Sequence, residues 1–365
     1  MSTTSFGVGD AMAVKLWSNE VTEAERDTSD ISKLIGKSDE SIIQEYEDFS
    51  KKAGDQITYS LRARLAQKGF GEGQRAQGNA ESLSYYSDAM LISELGFTVG
   101  VRNKGNTIDA QRVPFNLREQ GKNGLAQHWK DRKSVWFFNH VCGYLPANTE
   151  SATSGSYYVG HNTVLAHTTT RRIWAGSAAA DESLTSSDTF TVSLIDRAKE
   201  LAMSGNNMVR PVSVGGQPKY VVYLDIAQVT SLRTNATSGG WQDITKAAMM
   251  GGEITKNPLY TGALGEWNNC ILRSSQDITQ GVNSSTSAAV TTVRRAVLLG
   301  AQAAAIGFGQ SNQYGPMKYR WSEELFDHDR ELELGAWCIG GLRKTRFNSI
   351  DFGCLTISTY AVRQS

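Results

Sequence analysis

Proline is scarce in this 365-residue sequence, with six in all and none before Pro114. The four cysteines, Cys142, Cys270, Cys338 and Cys354, lie far apart and form no C-x-x-C pair, so neither a zinc site nor a disulfide framework is signalled. Reduced thiols are expected, buried at Cys270, Cys338 and Cys354, which sit in apolar or β-rich runs. Net charge is also missing: 37 Lys plus Arg stand against 37 Asp plus Glu. No overall field gathers nucleic acid or a membrane surface, although the balance alone excludes neither. Long apolar runs are absent too. The longest, Ala296 to Gly309, carries Gln302 inside it and is too short to span a bilayer. The start, Met1-Ser2-Thr3-Thr4, lacks a basic region followed by an apolar run, so no signal peptide is expected. The sequons at Asn235 and Asn283 then read as chance matches.

What is present is ordinary core material, at 40% hydrophobic residues and 9% aromatic. That is enough for two or three cores. The most distinctive stretch runs from Gly54 to Val113. Ile57, Tyr59, Leu61, Ala63 and Leu65 alternate with Thr58, Ser60, Arg62 and Arg64, the period of a strand with one covered face. Leu91, Leu95, Phe97, Val99 and Val101 repeat the pattern, so they are assigned to the return arm of one long β-hairpin. Gly69, Gly71, Gly73 and Gly78 mark its tip as a loop. A two-stranded ribbon is marginal in water. Its cover must come from its own domain or from another subunit, and the second reading is preferred.

The residues before the hairpin form an acidic arm. From Glu20 to Asp55 eleven acidic residues stand against five basic, a balance of −6, whereas Gln56 to Lys133 holds twelve basic and seven acidic, or +5. Arm and hairpin can attract each other, or both can be solvated faces. Ile42, Ile43, Tyr46 and Phe49 predict a helix over Asp39 to Lys52. After Pro114 the clearest helix begins, with Asn116 as N-cap and Glu119 three residues on. Leu117, Gly121, Leu125, Trp129, Arg132, Trp136 and His140 carry it through Val141, and Gly143 stops it.

Residues 144–189 are Ser-, Thr-, Ala- and Gly-rich and read as a connector. Phe190 to Ser204 resumes helical spacing, Tyr220 to Leu224 is a strand of the kind buried on both faces, and helices follow at Ile226 to Thr234 and Trp241 to Met249. Ile271 to Ser275 and Ala296 to Phe308 are further core segments of this α/β region. Ala336 to Arg343 and Asp351 to Ala361 are assigned to a return to the first domain.

No catalytic signature is complete in the sequence. Gly36-Lys37-Ser38 ends like a P-loop, but Ile31 occupies the leading glycine position. Gly71-Glu72-Gly73 precedes no helix. Histidines 128, 140, 161, 167 and 328 form no H-x-x-x-H pattern, and no G-x-S-x-G elbow occurs. His328, inside Phe326-Asp327-His328-Asp329-Arg330-Glu331, is the one tight cluster of His with carboxylates. It reads better as a charged loop than as a metal or acid–base site.

The order of these elements resembles the HK97-fold major capsid proteins of tailed phages. Lys51-Lys52-Ala53-Gly54-Asp55-Gln56-Ile57-Thr58-Tyr59, Leu83-Ser84-Tyr85-Tyr86-Ser87-Asp88, Asn116-Leu117-Arg118-Glu119 and Phe347-Asn348-Ser349-Ile350-Asp351-Phe352-Gly353 are similar to the N4-like phage capsid family. The resemblance implies an α+β fold. In it, residues 1–52 are an N-terminal arm, 53–113 an extended E-loop hairpin, and 114–188 a peripheral domain with its spine helix. Residues 189–310 are an α/β axial domain, and 311–365 return to the peripheral domain. It implies self-assembly into hexamers and pentamers of an icosahedral shell around double-stranded DNA, held by non-specific contact. Portal, scaffolding or decoration proteins are the other expected partners. A virion location after assembly in the bacterial host cytoplasm follows, with no membrane partner, catalytic residue, cofactor or metal. Lys68 lies near the tip, but nothing marks a partner for an isopeptide cross-link. A nanocompartment shell of the same fold and a two-domain enzyme with its site near His328 are the alternatives.

Overall fold

The computed structural model describes residues 31–47, 56–62, 65, 67–75, 77–102, 107–108, 112, 115–145, 162–204, 208–214, 216–234, 264–309 and 319–363. The helix expected at 241–249, the sequon at 235 and His161 lie outside the described residues. In chain order the strands of the first half are β1 (Ile35–Gly36), β2 (Ile43–Glu47), β3 (Gln56–Arg62), β4 (Tyr85–Leu91) and β5 (Ser93–Arg102). Helix α1 (Leu117–Val141) follows, then β6 (Arg172–Trp174), α2 (Val192–Met203), β7 (Val212–Val214), β8 (Gln217–Leu224) and α3 (Ile226–Thr234). The chain continues with β9 (Gly265–Trp267), β10 (Cys270–Ser274), β11 (Gln280–Val282), β12 (Ala289–Leu299) and β13 (Ala304–Phe308). It closes with β14 (Tyr319–Phe326), β15 (Glu331–Lys344), β16 (Arg346–Phe347), β17 (Ile350–Asp351) and β18 (Cys354–Tyr360).

Two sheets carry the fold. The first runs β1-β2-β13-β15-β14, with β5 also paired to β15; the second runs β6-β18-β12-β8-β10-β9, with β11 on β12 and β7 on β8. Helix α1 joins them. Its Leu125 and Trp129 pack on the first sheet with Leu334 and Ala336, while Phe137 and Phe138 reach the second, where Phe138 meets the Tyr223 ring edge-on at 5.4 Å. Gly121 lets the helix approach, because a Cβ there would lie 2.7 Å from Leu334 Cδ1. The helix starts as its sequence predicts: the Asn116 side chain accepts the Arg118 N–H, and Gly143 beyond the end has φ +61°. A second core gathers α2 and α3 against the other face of the second sheet, around Phe190, Ile195, Leu232 and Leu298.

Three sequence expectations are corrected. The stretch predicted as a helix over Asp39 to Lys52 holds strand β2, parallel to β13 with Ile43 opposite Ala304. Ile43 and Tyr46 fit a helical stripe and a strand over so short a run, and the free edge of β13 decides for the strand. The long hairpin is shorter than its apolar pattern: β3 pairs with β4, Gln56 opposite Leu91, whereas β5 pairs with β15, Ser93 opposite Gly340. Asp351 to Ala361 does not return to the first sheet either. Strand β18 inserts between β6 and β12 of the second, with Leu355 opposite Leu298. The apolar run Ala296 to Phe308 is two strands separated at Gly300, where a Cβ would lie 2.3 Å from the Arg210 carbonyl oxygen.

Candidate assembly surface

The ribbon β3–β4 splits into a locked root and an open outer half. The root lies on small residues of the first sheet. A Cβ on Gly307 would meet Met90 Cε at 2.5 Å and Ile57 Cδ1 at 2.6 Å, and one on Gly341 would meet the Leu91 carbonyl oxygen at 2.1 Å. Tyr59 and Met90 are buried there with Ala305 and Phe347, and Tyr59 stacks on Tyr46 at 5.4 Å. The sequence reading preferred cover by another subunit over cover by its own domain; the root is covered by its own chain. The outer half is different. Leu65, Leu83 and Tyr85 are 57%, 53% and 62% exposed. At the tip Gly69, Gly73 and Gly78 take φ of +84°, +82° and +87°, which side-chain-bearing residues adopt rarely. Gln67 ties the two arms, donating its backbone N–H to Glu81 and its amide to the Asn79 carbonyl, both at 2.8 Å.

Polar side chains fix the root. Tyr59 donates its hydroxyl to Asp88 Oδ2 at 3.0 Å, the Arg346 N–H donates to the same oxygen at 3.0 Å, and Arg343 lies 3.3 Å from Asp88 Oδ1. Burial and then Asp88 push the Tyr59 hydroxyl far above its ordinary pKa, so it remains a donor. Asn162 grips Leu91, accepting its N–H at 2.9 Å and donating to its carbonyl at 2.8 Å. Beyond Arg346 lies Asp351, fully buried, with Lys344 Nζ at 2.9 Å, His167 Nδ1 at 3.1 Å and the donated Thr168 N–H at 2.9 Å. Burial alone would raise the Asp351 carboxyl; His167, Lys344 and the Thr168 N–H outweigh it and hold it well below the usual carboxylate range. The other nitrogen of His167 meets the Val141 carbonyl at the end of α1. Burial, reinforced by Lys344 and opposed by Asp351, lowers His167 to about 4. Ribbon root and spine helix are thus joined through one polar network.

The residues singled out for chemistry fall elsewhere and apart. His328 is exposed on the β14–β15 turn, where Asp327, His328 and Asp329 have φ of +50°, +55° and +67°. His128 packs edge-on against Phe97 at 4.3 Å, and His140 is buried in α1. Gly36-Lys37-Ser38 leads into a turn closed by the Ser41 N–H on the Ser38 carbonyl at 3.0 Å. All four cysteines are buried and free. Among the described residues no group of three His, Cys, Asp or Glu is arranged to hold a metal ion, and no helix is long and apolar enough to cross a membrane. Sequence reasoning missed Asp88, Asn162 and Asp351. For Asp88 the signal was an acid inside an otherwise strand-like run; Asn162 and Asp351 carried none.

A ribbon locked at one end and apolar at the other, on a spine helix crossing two sheets, is the build of a shell subunit. The chain belongs to the phage capsid protein family, whose model matches residues 5–363. Its fold is HK97-like. The capsid of Ralstonia phage GP4 is similar with a TM-score of 0.79 and 29% identity, covering 100% of both chains. The cyanophage Pam1 capsid matches at 0.71 with 19% identity over 100% of both chains. The capsid of Helicobacter pylori bacteriophage KHP30 matches at 0.66 with 15% identity, covering 98% of this chain and 99% of that one. No curated protein matches. The function is that of a major capsid protein forming the icosahedral shell, and its place is the virion.

Proposed function

We propose that this chain is an N4-like member of the family, whose E-loop ribbon docks its outer half on a neighbouring subunit while its own subunit holds the root. Residues 1–52 act as the N-terminal arm, and 114–188 with 311–350 act as the peripheral domain. Residues 189–310 act as the axial domain at five-fold and six-fold positions, with β18 completing its sheet. The role is structural, without catalysis. The shell encloses double-stranded DNA by non-specific contact and forms in the host cytoplasm, with portal, scaffolding or decoration proteins as further partners. The observation that carries the reading is the contrast within one ribbon: Tyr59 and Met90 are buried at the root, and Leu65, Leu83 and Tyr85 are bare beyond it. Covering each bare side chain contributes about 1.5–3 kcal/mol. Summed over many neighbours, such contacts make a stable shell from weak units. Deleting residues 68–78 tests this. The expected product is a folded, soluble subunit that forms few particles of megadalton mass by light scattering; normal particles overturn the reading.

A further inference from the structure

The first sheet and α1 line a half-open apolar groove of about 370 Å³ that no element so far described fills. Its walls include Ile43, Leu125, Trp129, Ile306 and Leu342, and Lys122, Lys130 and Lys133 of α1 stand around it. This volume falls in the range of about 300–1,000 Å³ that takes a compact apolar body. An apolar hollow ringed by cations calls for an occupant with apolar side chains and carboxylates.

We propose that the occupant is residues 16–25 of the same chain, Leu16-Trp17-Ser18-Asn19-Glu20-Val21-Thr22-Glu23-Ala24-Glu25. Two observations lead there. The chain enters the described structure at the groove itself, since Ile31 and Ile35 form part of its wall. Only residues 26–30 separate the segment from that wall, a tether of up to roughly 17 Å when extended. The segment also has the required chemistry. It carries three glutamates and no Lys or Arg, opposite three lysines, and Leu16, Trp17 and Val21 supply the apolar filling. The ribbon of a second copy lacks the acidic excess: residues 56–91 hold four basic and three acidic side chains, a balance of +1. Docked in this way, the arm covers the exposed face of α1 with an acidic strap. The inference concerns the single subunit and does not rest on the ribbon docking proposed above.

The test uses the full chain. Asn19→Cys and Ala126→Cys are combined; Ala126 is exposed at the groove, and the four native cysteines are buried, so a short bismaleimide reacts at the two introduced sites. The expected result is a cross-link within one chain, seen as linked peptides from the monomer band. Lys122→Glu, Lys130→Glu and Lys133→Glu together should lower its yield about fivefold, the size of one exposed ion pair or slightly more. Adding Glu20→Lys, Glu23→Lys and Glu25→Lys should restore it, which also shows that the reversed lysines left the fold intact. A yield no greater than in single-cysteine controls overturns the proposal. So does a covalent dimer, which assigns the groove to another copy, and so does a yield indifferent to both charge reversals.

Discussion

Gly96 lies flat beneath the indole of Trp337. The two are paired across β5 and β15, and a Cβ on Gly96 would sit 2.1 Å from Trp337 Cε3. The ring thus occupies the space that a side chain on β5 would need, and it also donates its Nε1–H to Ser322 at 3.1 Å. Gly96→Ala is expected to lower stability by about 1–3 kcal/mol through overpacking. The same change in a Trp337→Leu background should cost much less. Urea unfolding of the four proteins measures that coupling, and additive losses would show that the contact is not the cause.

The Asn162 carboxamide acts on Leu91 as a neighbouring strand would, satisfying its N–H and carbonyl together. Asn162→Ala leaves both groups partly buried without those partners, at a cost of about 1–3 kcal/mol. Hydrogen exchange should locate the change: the Leu91 amide speeds up markedly while amides of β12 and β18 do not.

Asp88 serves four donors at the ribbon root: the Tyr59 hydroxyl, the Arg346 and Ala89 N–H groups and Arg343. Tyr59→Phe should cost about 1 kcal/mol, since one hydrogen bond is lost and the ring still stacks on Tyr46. Asp88→Ala should cost more, about 2–3 kcal/mol, because Arg343, the Arg346 N–H and the Tyr59 hydroxyl all lose an acceptor. Thermal unfolding of the isolated subunit ranks the two; equal losses would contradict the network.

Acid should unfold the subunit in two stages. His167 is lowered from its ordinary 6.5 to about 4, so the unfolded chain binds the proton more readily. Its contribution is complete above about pH 6.5 and shrinks as pH falls toward 4, by about 3 kcal/mol in all. The Asp351 carboxyl, also held low, adds a further loss below pH 4 as it protonates. The thermal midpoint should therefore be level near neutrality, decline from pH 6.5 and steepen below 4. His167→Gln should flatten the upper stage and leave the lower one in place.

Thiol labelling offers a separate check. Burial raises Cys270 to about 11 and pushes Cys142 and Cys354 up as well, so neither access nor thiolate favours reaction. All four cysteines should react slowly with a thiol reagent in the native subunit and rapidly in denaturant.

Elements governed by local rules were legible in the sequence. Asn116 and Gly143 bound α1, Ile226 to Thr234 is helix α3 as its spacing predicts, and Tyr220 to Leu224 is a strand with both faces buried. What distant partners decide was not legible. Asp88 breaks the alternation of β4, so the return arm was assigned to the cleaner pattern of β5. The reason for that acid is Arg343, more than two hundred residues away. Asp351 sits in a turn-like Asn-Ser-Ile-Asp run whose burial depends on His167 and Lys344. Gly307 and Gly341 look like mere interruptions of apolar strands until the ribbon root is placed on them.

The position of β15 and β18 has a consequence for synthesis. Strand β15 holds β5, β13 and β14 together, and β18 stands between β6 and β12, yet these two are among the last strands to leave the ribosome. Until residue 340 emerges, β5 has no complete partner among the described strands; until residue 360 emerges, the second sheet lacks an inner member. Both sheets therefore close almost at once, and only when β15 and β18 have both been made. A shorter nascent chain therefore has neither sheet complete, whatever its earlier strands have paired with.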